Sequence, residues 1–335
     1  MNILLTGGTG YIGSHTALIL ATAGHQVVLY DNLANSEASV VDRLETITGF
    51  KLSFVKGDIR NTYLLESSLR SFDIEAVIHF AGLKAVGESV ENPLLYYDNN
   101  VGGTISVLKA MTSVGVKRLV FSSSATVYGD PQYLPIDEAH PRRATNPYGR
   151  TKLSIENILE DLAASDANWH ITCLRYFNPV GAHESGLIGE DPKCVPNNLT
   201  PFLARVAAGK LPCLDIFGAD YDTPDGTGVR DYIHVMDLAE GHLAAVNQIS
   251  VKGEPFDAFN LGTGRGQSVL EMLKAFEQAS GLSIKSQIVP KRAGDVSSCY
   301  ANADKAAKSL GWAASRPLDD MCRSAWKFQV NKAIE

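Results

Sequence analysis

The chain lacks any CxxC pair, any long apolar run and any long cluster of Lys and Arg. Its five cysteines, Cys173, Cys194, Cys213, Cys299 and Cys322, are odd in number and widely spaced, which disfavours a disulfide framework and a zinc site. No metal is expected, and the compartment reads as reducing and cytoplasmic. No stretch approaches the ~18 apolar residues of a membrane span. At the start, MNILLTGG interrupts Ile3, Leu4 and Leu5 with glycine too early for the apolar part of a signal peptide. Lys and Arg number 30 against 37 Asp and Glu, a net charge of −7, which argues against nucleic acid or an anionic membrane as the main partner. A local basic pocket for a small anion stays open. With 335 residues, 45% of them hydrophobic, the chain can bury a full core, and its length suggests about two domains.

What the sequence does have begins at its first turn. NILLTGGTGYIGSHTALILATAGHQVVLYD reads as a strand over Ile3 to Leu5, a glycine turn, a helix from Tyr11 to Ala23, and a second strand, one βαβ unit. Gly7, Gly10 and Gly13 let the turn be tight, let a pyrophosphate approach bare backbone, and let the helix pack closely on its strand. The spacing alone also suits an ordinary turn; strand before and helix after favour a dinucleotide site. Asp31, eighteen residues past Gly13, ends the second strand where such folds place an acid on the adenosine ribose. Its carboxylate accepts from both ribose hydroxyls and repels a 2′-phosphate, and no cation follows before Arg43, so NAD is favoured over NADP. A turn-forming Asp in DNLANS is the alternative.

The alternation then continues. LSFVKGDIR ends near Asp58, EAVIHFAGLKAVG is a strand opening into small residues, and VKRLVFSSSATVYG and WHITCLRYFNPVG follow further helices. Alternating apolar strands and helices predict an α/β fold, a Rossmann-type doubly wound parallel sheet with ligands at the strand carboxyl ends, and a second, smaller mixed α/β domain for substrate. RLVFSSSATVYG brings Ser122, Ser123 and Ser124 to that edge. PYGRTK places Tyr148 and Lys152 one turn apart behind a helix-opening proline. The expectation is an ammonium that lowers the phenol's pKa and makes a tyrosinate available near neutral pH; a surface tyrosine and lysine is the plainer alternative.

GGTGYIG, Asp58, Asn99, the serine triplet and YxxxK occur in an order that resembles the extended short-chain dehydrogenase/reductase family. The resemblance implies NAD as cofactor and Ser124, Tyr148 and Lys152 as catalytic residues, with tyrosinate as base. It places Gly7, Gly10, Tyr11, Ile12 and Gly13 at the pyrophosphate turn, and Asp31, Asn32, Asn35, Ser36, Asp58 and Ile59 along the adenosine. Phe80, Ala81, Gly82, Lys84, Asn99, Ser122, Tyr148, Lys152 and Phe177 complete the implied cofactor site; Asn99 also reads as a helix-start cap.

FAGLKAVGESV, YYDNNV, SSSATVYGD, RYFNPVGAH, GEDP, PNNL and DGTGVRDYIHVMDLA are similar to members of that family that act on UDP-hexoses, and the likeness runs to about residue 325. It implies a substrate site of Lys84, Ser124, Tyr148, Asn178, Asn198, Leu199, Ile216, Phe217, Arg230, Arg292, Asp295 and Cys299. Physics supports the two arginines, whose guanidinium forks suit a diphosphate; Asn178 and Asn198 equally suit turns. Nucleotide-sugar 4,6-dehydratases of the family carry Asp-Glu just after the active-site hydroxyl, where this chain has Ala125 and Thr126. Without an acid to protonate a leaving hydroxyl, a 4-keto sugar has only reduction ahead of it. The resemblance therefore implies oxidation and re-reduction at C4, interconverting UDP-galactose and UDP-glucose. Cys299, where some relatives carry tyrosine, implies room for UDP-GlcNAc and UDP-GalNAc as well.

Another nucleotide-sugar oxidoreductase or dehydratase, and a non-catalytic NAD-sensing module, are the other readings. The domains expected are 1–177 for NAD, with a returning segment at about 229–263, and 178–335 for the UDP-sugar. A homodimer is a family expectation.

Overall fold

A computed structural model describes residues 1–193, 195–250, 254–292 and 295–332. Cys194 lies outside the described residues. By contact the chain divides into two units, the first comprising 1–129, 141–176 and 239–259, the second 130–140, 177–238 and 260–335.

In the first unit the chain runs through β1 (Asn2–Thr6), α1 (Tyr11–Thr22), β2 (Gln26–Asp31), α2 (Ser39–Thr48), β3 (Ser53–Lys56), α3 (Thr62–Ser71) and β4 (Ala76–His79). It continues through α4 (Val86–Glu91), α5 (Pro93–Tyr96), a π-helical segment Tyr97–Gly102, α6 (Gly103–Val114), β5 (Arg118–Ser124), α7 (Pro147–Ser165) and β6 (His170–Tyr176). Strand order is β3-β2-β1-β4-β5-β6, extended on the β6 side by a late strand at Phe256–Leu261. All five ladders from β3 to β6 are parallel. That order is the doubly wound one, with the reversal between β1 and β4.

Local chemistry fixes the elements that matter to the site. The strands read as continuous apolar runs because both faces are covered; Ile3, Leu4 and Leu5 are fully buried. Gly24, with φ of +87°, closes α1 in the left-handed conformation its position demands. α7 begins at Pro147 because Asn146 caps it, accepting from the amide of Gly149 at 2.9 Å. His79 is pinned between β1 and α6, its Nδ1 2.6 Å from the Thr6 hydroxyl and its Nε2 2.9 Å from that of Thr104. Burial pushes its pKa down to about 3, with the Lys152 charge adding to the effect.

The second unit carries β7 (Asn178–Val180), α8 (Leu199–Ala207), β8 (Leu214–Phe217) and β9 (Val229–His234). α9 (Val235–Ser250) leads back to the first unit, and β10 (Phe256–Leu261) is the strand added beside β6. Then follow β11 (Gly266–Ser268), α10 (Val269–Ser280), β12 (Ser286–Val289), β13 (Ser298–Cys299), α11 (Asp304–Leu310) and α12 (Leu318–Lys332). β9 pairs with β7, β11 and β13, while β8 pairs with β12. A separate core of Leu203, Leu214, Ile216, Met272, Phe276 and Met321 lies beneath. Residues 130–140 group with this unit, although the sequence division at 177 puts them in the first. Ile136 bridges Ala301 and accepts from Asn260 Nδ2 at 2.9 Å, a pairing across 124 residues that no local pattern announces.

Candidate active site

The glycine turn is built as a cradle. Gly7 has φ of +70°, and a Cβ there would lie 2.8 Å from the Ala81 amide nitrogen. A Cβ on Gly13 would run into the Gly7 carbonyl oxygen, and one on Gly10 would sit 3.2 Å from that same atom. The turn thus presents bare backbone at the amino end of α1, the arrangement that receives phosphates. Asp31 is buried beside it, accepting from the Leu33 amide at 2.8 Å, the Thr9 amide at 3.2 Å and the Ser36 hydroxyl at 3.2 Å. Asn32 and Asn35 are exposed on the loop after Asp31, and Tyr11 and Ile12 are half-buried at the start of α1. Asp58 lies two residues past β3 and Ile59 is buried behind it. The forked guanidinium of Arg60, with Asn32, holds the Asp58 carboxyl well below the usual range. These residues fit a dinucleotide: a phosphate-sized backbone cradle, an acid at the second strand and no side chain filling the turn.

On the other side of the switch point the loop after β4 carries Phe80, Ala81, Gly82 and Lys84. A Cβ on Gly82 would meet Asn100 Oδ1 at 3.3 Å and Lys152 Nζ at 3.9 Å. The π-helical segment aims two asparagines at this loop. Asn99 Nδ2 donates to Asn100 Oδ1 at 3.0 Å; Asn100 accepts from the Leu83 amide at 2.8 Å and donates to Thr151 Oγ1 at 3.1 Å. Asn100, which the sequence reading passed over, positions the loop.

Ser124 ends β5, and its hydroxyl pulls the pKa of the Tyr148 phenol down. The same oxygen accepts from the Thr126 amide at 3.2 Å and the Thr126 hydroxyl at 2.9 Å. Lys152, one turn along α7, is buried; its Nζ donates to the Ser122 carbonyl at 2.6 Å and lies 4.8 Å over the Phe121 ring. Contrary to the expectation, Lys152 does not lower the Tyr148 pKa, which is raised. Burial raises the phenol, opposed by the Ser124 hydroxyl. Burial also brings Lys152 itself down to about 8, with Cys173 and Glu156 pulling the other way. The phenol's own loss of water in the desolvated pocket outweighs what stabilises its charge.

α7 continues the same face with Glu156, fully buried, which accepts from Ser123 at 2.5 Å, from Arg142 at 3.0 Å and from both Nε (3.0 Å) and NH2 (2.7 Å) of Arg175 on β6. Burial opposes its charge, but Arg175, Ser123 and Arg142 hold the carboxyl below the usual range. Ladder register sets Ser123 opposite Arg175 and Ser124 opposite Tyr176. The reading of YxxxK missed this third step along the helix, although the i+4 spacing of Glu156 was a usable signal.

In the second unit a cluster forms around β9. Arg230 NH2 lies 3.4 Å from Asp295 Oδ1, and the Arg292 guanidinium sits 3.6 Å over the Phe217 ring. β13 sets Cys299 opposite Arg230, and burial lifts its thiol to about 11. The side chain of Ile216 is in the core, leaving its backbone for contact. Asn198 precedes α8 and donates to Glu190 at 2.8 Å; Leu199 opens that helix, and Asn178 opens β7. Phe177 is buried, its amide donating to Leu261 at 3.2 Å. The Tyr221 hydroxyl, within electrostatic reach of Asp295 and Arg230, is a member of this cluster that the sequence did not flag. Among the described residues no group of His, Cys, Asp and Glu forms a metal site, and Cys173, Cys213, Cys299 and Cys322 are free.

Fold and site together define an extended short-chain dehydrogenase/reductase. The family described as GDP-mannose 4,6 dehydratase matches residues 4–325. UDP-glucose 4-epimerase of Dictyostelium discoideum is 58% identical over 98% of this chain and 95% of that protein. That of Bacillus subtilis is 54% identical over 98% and 97%. A crystal structure of UDP-glucose-4-epimerase from Stenotrophomonas maltophila, with bound NAD and formylated UDP-arabinopyranose, superposes with a TM-score of 0.98 at 50% identity, covering 100% of this chain and 99% of that one. The chain belongs to the UDP-glucose 4-epimerase family.

Proposed function

We propose that the chain interconverts UDP-galactose and UDP-glucose by inverting C4 of the hexose, an isomerase with NAD as a hydride carrier regenerated in each turnover. The observation that supports this most is Ser124 at a strand end, its hydroxyl acting on the Tyr148 phenol, followed by Ala125 and Thr126 in place of the carboxylates that would eliminate water. The NAD-holding residues are the Gly7, Gly10 and Gly13 turn with Tyr11 and Ile12, the Asp31 to Ser36 loop, Asp58 with Ile59, the Phe80 to Lys84 loop, Asn99, Ser122, Lys152 and Phe177. Bound there, NAD supplies a hydride acceptor and donor and a positive nicotinamide.

Tyr148 takes the proton of the C4 hydroxyl as hydride leaves C4 and later returns that proton to the C4 oxygen as hydride comes back to the opposite face of the carbon, while Ser124 hydrogen-bonds the reacting oxygen. Because burial keeps the phenol protonated in the chain alone, its ionisation waits on the positive nicotinamide that bound NAD would bring beside it. Arg230 and Arg292 grip the diphosphate, with Asp295 orienting Arg230; Asn178, Asn198, Leu199, Ile216 and Phe217 hold the nucleotide. Gripping the nucleotide firmly and the hexose loosely lets the 4-keto sugar turn its other face. Cys299, smaller than tyrosine, leaves space for an acetamido group, so UDP-GlcNAc and UDP-GalNAc are substrates too.

The functional division is an NAD domain, 1–177 with a returning segment at about 229–263, and a UDP-sugar domain, 178–335. Val90, Leu94, Leu95 and Tyr97 are exposed apolar residues along 86–102, between 38% and 83% accessible, and suit a homodimer contact. No helix among the described residues is long and apolar enough to cross a membrane, and a cytoplasmic location is part of the proposal. Pure protein given UDP-galactose without added reductant is expected to yield the glucose configuration by proton NMR, and UDP-GalNAc the GlcNAc configuration. Net NADH formation or loss of water from the sugar counts against epimerisation.

A further inference from the structure

Beneath the nicotinamide side of the first unit lies a buried polar pair that the proposed reaction does not use. The Tyr176 hydroxyl makes a short hydrogen bond to Nε2 of His242 on α9; Tyr176 is 6% exposed and His242 fully buried. The two rings meet edge to face at 5.3 Å, and Phe80 packs on His242 at 4.8 Å. The Tyr176 phenol also lies within electrostatic reach of the Ser122 side chain and of Tyr148. The Ser122 carbonyl is the group that holds Lys152 Nζ, at 2.6 Å. His242 on α9, Tyr176 at the end of β6 and Ser122 on β5 with its bond to Lys152 therefore form one neighbourhood, with Phe80 just after β4 packed on the imidazole.

Two apolar side chains of the same shape would fill this space at little cost in stability. What the polar pair adds is direction: a phenol and an imidazole each limit where the other can sit. We infer that Tyr176 and His242 are positioning residues, which fix the ends of β4, β5 and β6 so that Ser124, Tyr148 and Lys152 meet the sugar in one arrangement. The pair touches no reacting atom. Its loss lets the strand ends shift, and displacements of about 1 Å cost up to about a hundredfold in rate. The diphosphate anchors assigned above are in other elements, so substrate grip is spared.

The inference rests on the epimerase reading, and its test separates the two. Tyr176→Phe, His242→Leu, His242→Gln and the double variant Tyr176→Phe/His242→Leu are compared with wild type for kcat, KM and amide hydrogen exchange of residues 79–82 and 118–127. Tyr176→Phe and His242→Leu are each expected to lower kcat at least about tenfold with KM within about twofold. Exchange in both segments rises, and the double variant is no worse than either single one. His242→Gln, whose amide oxygen can take the Tyr176 proton, recovers most of kcat and of the exchange protection. Wild-type kcat in Tyr176→Phe, unaltered exchange, or losses that add in the double variant would overturn the pair. A wild-type protein that does not invert C4 removes the epimerase reading, and the exchange data still judge the pair.

Discussion

The cations of the two units live under opposite conditions. In the first, Lys152 and Arg175 are buried, one bonded to the Ser122 carbonyl and the other forked onto Glu156. In the second, Arg292 is exposed over a ring and Arg230 leans on Asp295 at 3.4 Å, a partner it can leave. Burial makes the first set stiff and sensitive to its surroundings; in the second, Arg292 is exposed, while Arg230 is partly covered and also donates to the Val229 carbonyl at 2.9 Å. On the proposed roles, the difference separates two tasks. Chemistry at C4 asks for fixed geometry, whereas capture of a diphosphate asks for charge that can reorganise.

Ways to break that comparison begin with the base. Tyr148→Phe is expected to lower kcat by about 10²- to 10⁴-fold, while calorimetry shows UDP binding unchanged; weakened UDP binding would join what the comparison separates. Next comes Glu156→Gln, which leaves Arg175 buried without its counter-charge. Urea titration should show a loss of about 3–5 kcal/mol, against less than about 1 kcal/mol for Asp295→Asn at the partly exposed pair. Arg230→Met should then weaken UDP about 10- to 100-fold and leave kcat at saturating substrate within about threefold of wild type.

A smaller effect sharpens the contrast through pH. Lys152 has its pKa lowered to about 8, so it carries its proton below that pH and loses it above. As pH rises through 8, kcat is expected to fall, approaching about tenfold per unit. A guanidinium keeps its charge throughout, so UDP affinity stays level over the same range. Equal decline of both would place the titrating group among the anchors.

Much of the first unit was legible because its signals are local. Gly7, Gly10 and Gly13 sit where a turn needs bare backbone, Asn146 and Pro147 open α7, and Ser122 to Ser124 end a buried strand. The electrostatics were not legible. YxxxK places Lys152 on the right face of a helix, but whether its charge reaches the phenol depends on the Ser122 carbonyl and on burial, both set by tertiary packing. Glu156 with Arg175, Tyr176 with His242 and Ile136 with Asn260 are pairings made across 19, 66 and 124 residues. No periodicity encodes them. The π-helical segment at Tyr97–Gly102 likewise reads as ordinary helix, since its extra residue per turn shows only in where Asn99 and Asn100 point.

The most direct test of the central claim follows one atom. UDP-galactose carrying deuterium at C4, incubated with the pure protein in ordinary water, should give UDP-glucose with the deuterium still on C4, because the hydride removed from one face is the one returned to the other. Product with protium at C4 would mean that the hydrogen exchanges with solvent or comes from elsewhere, and would contradict the account.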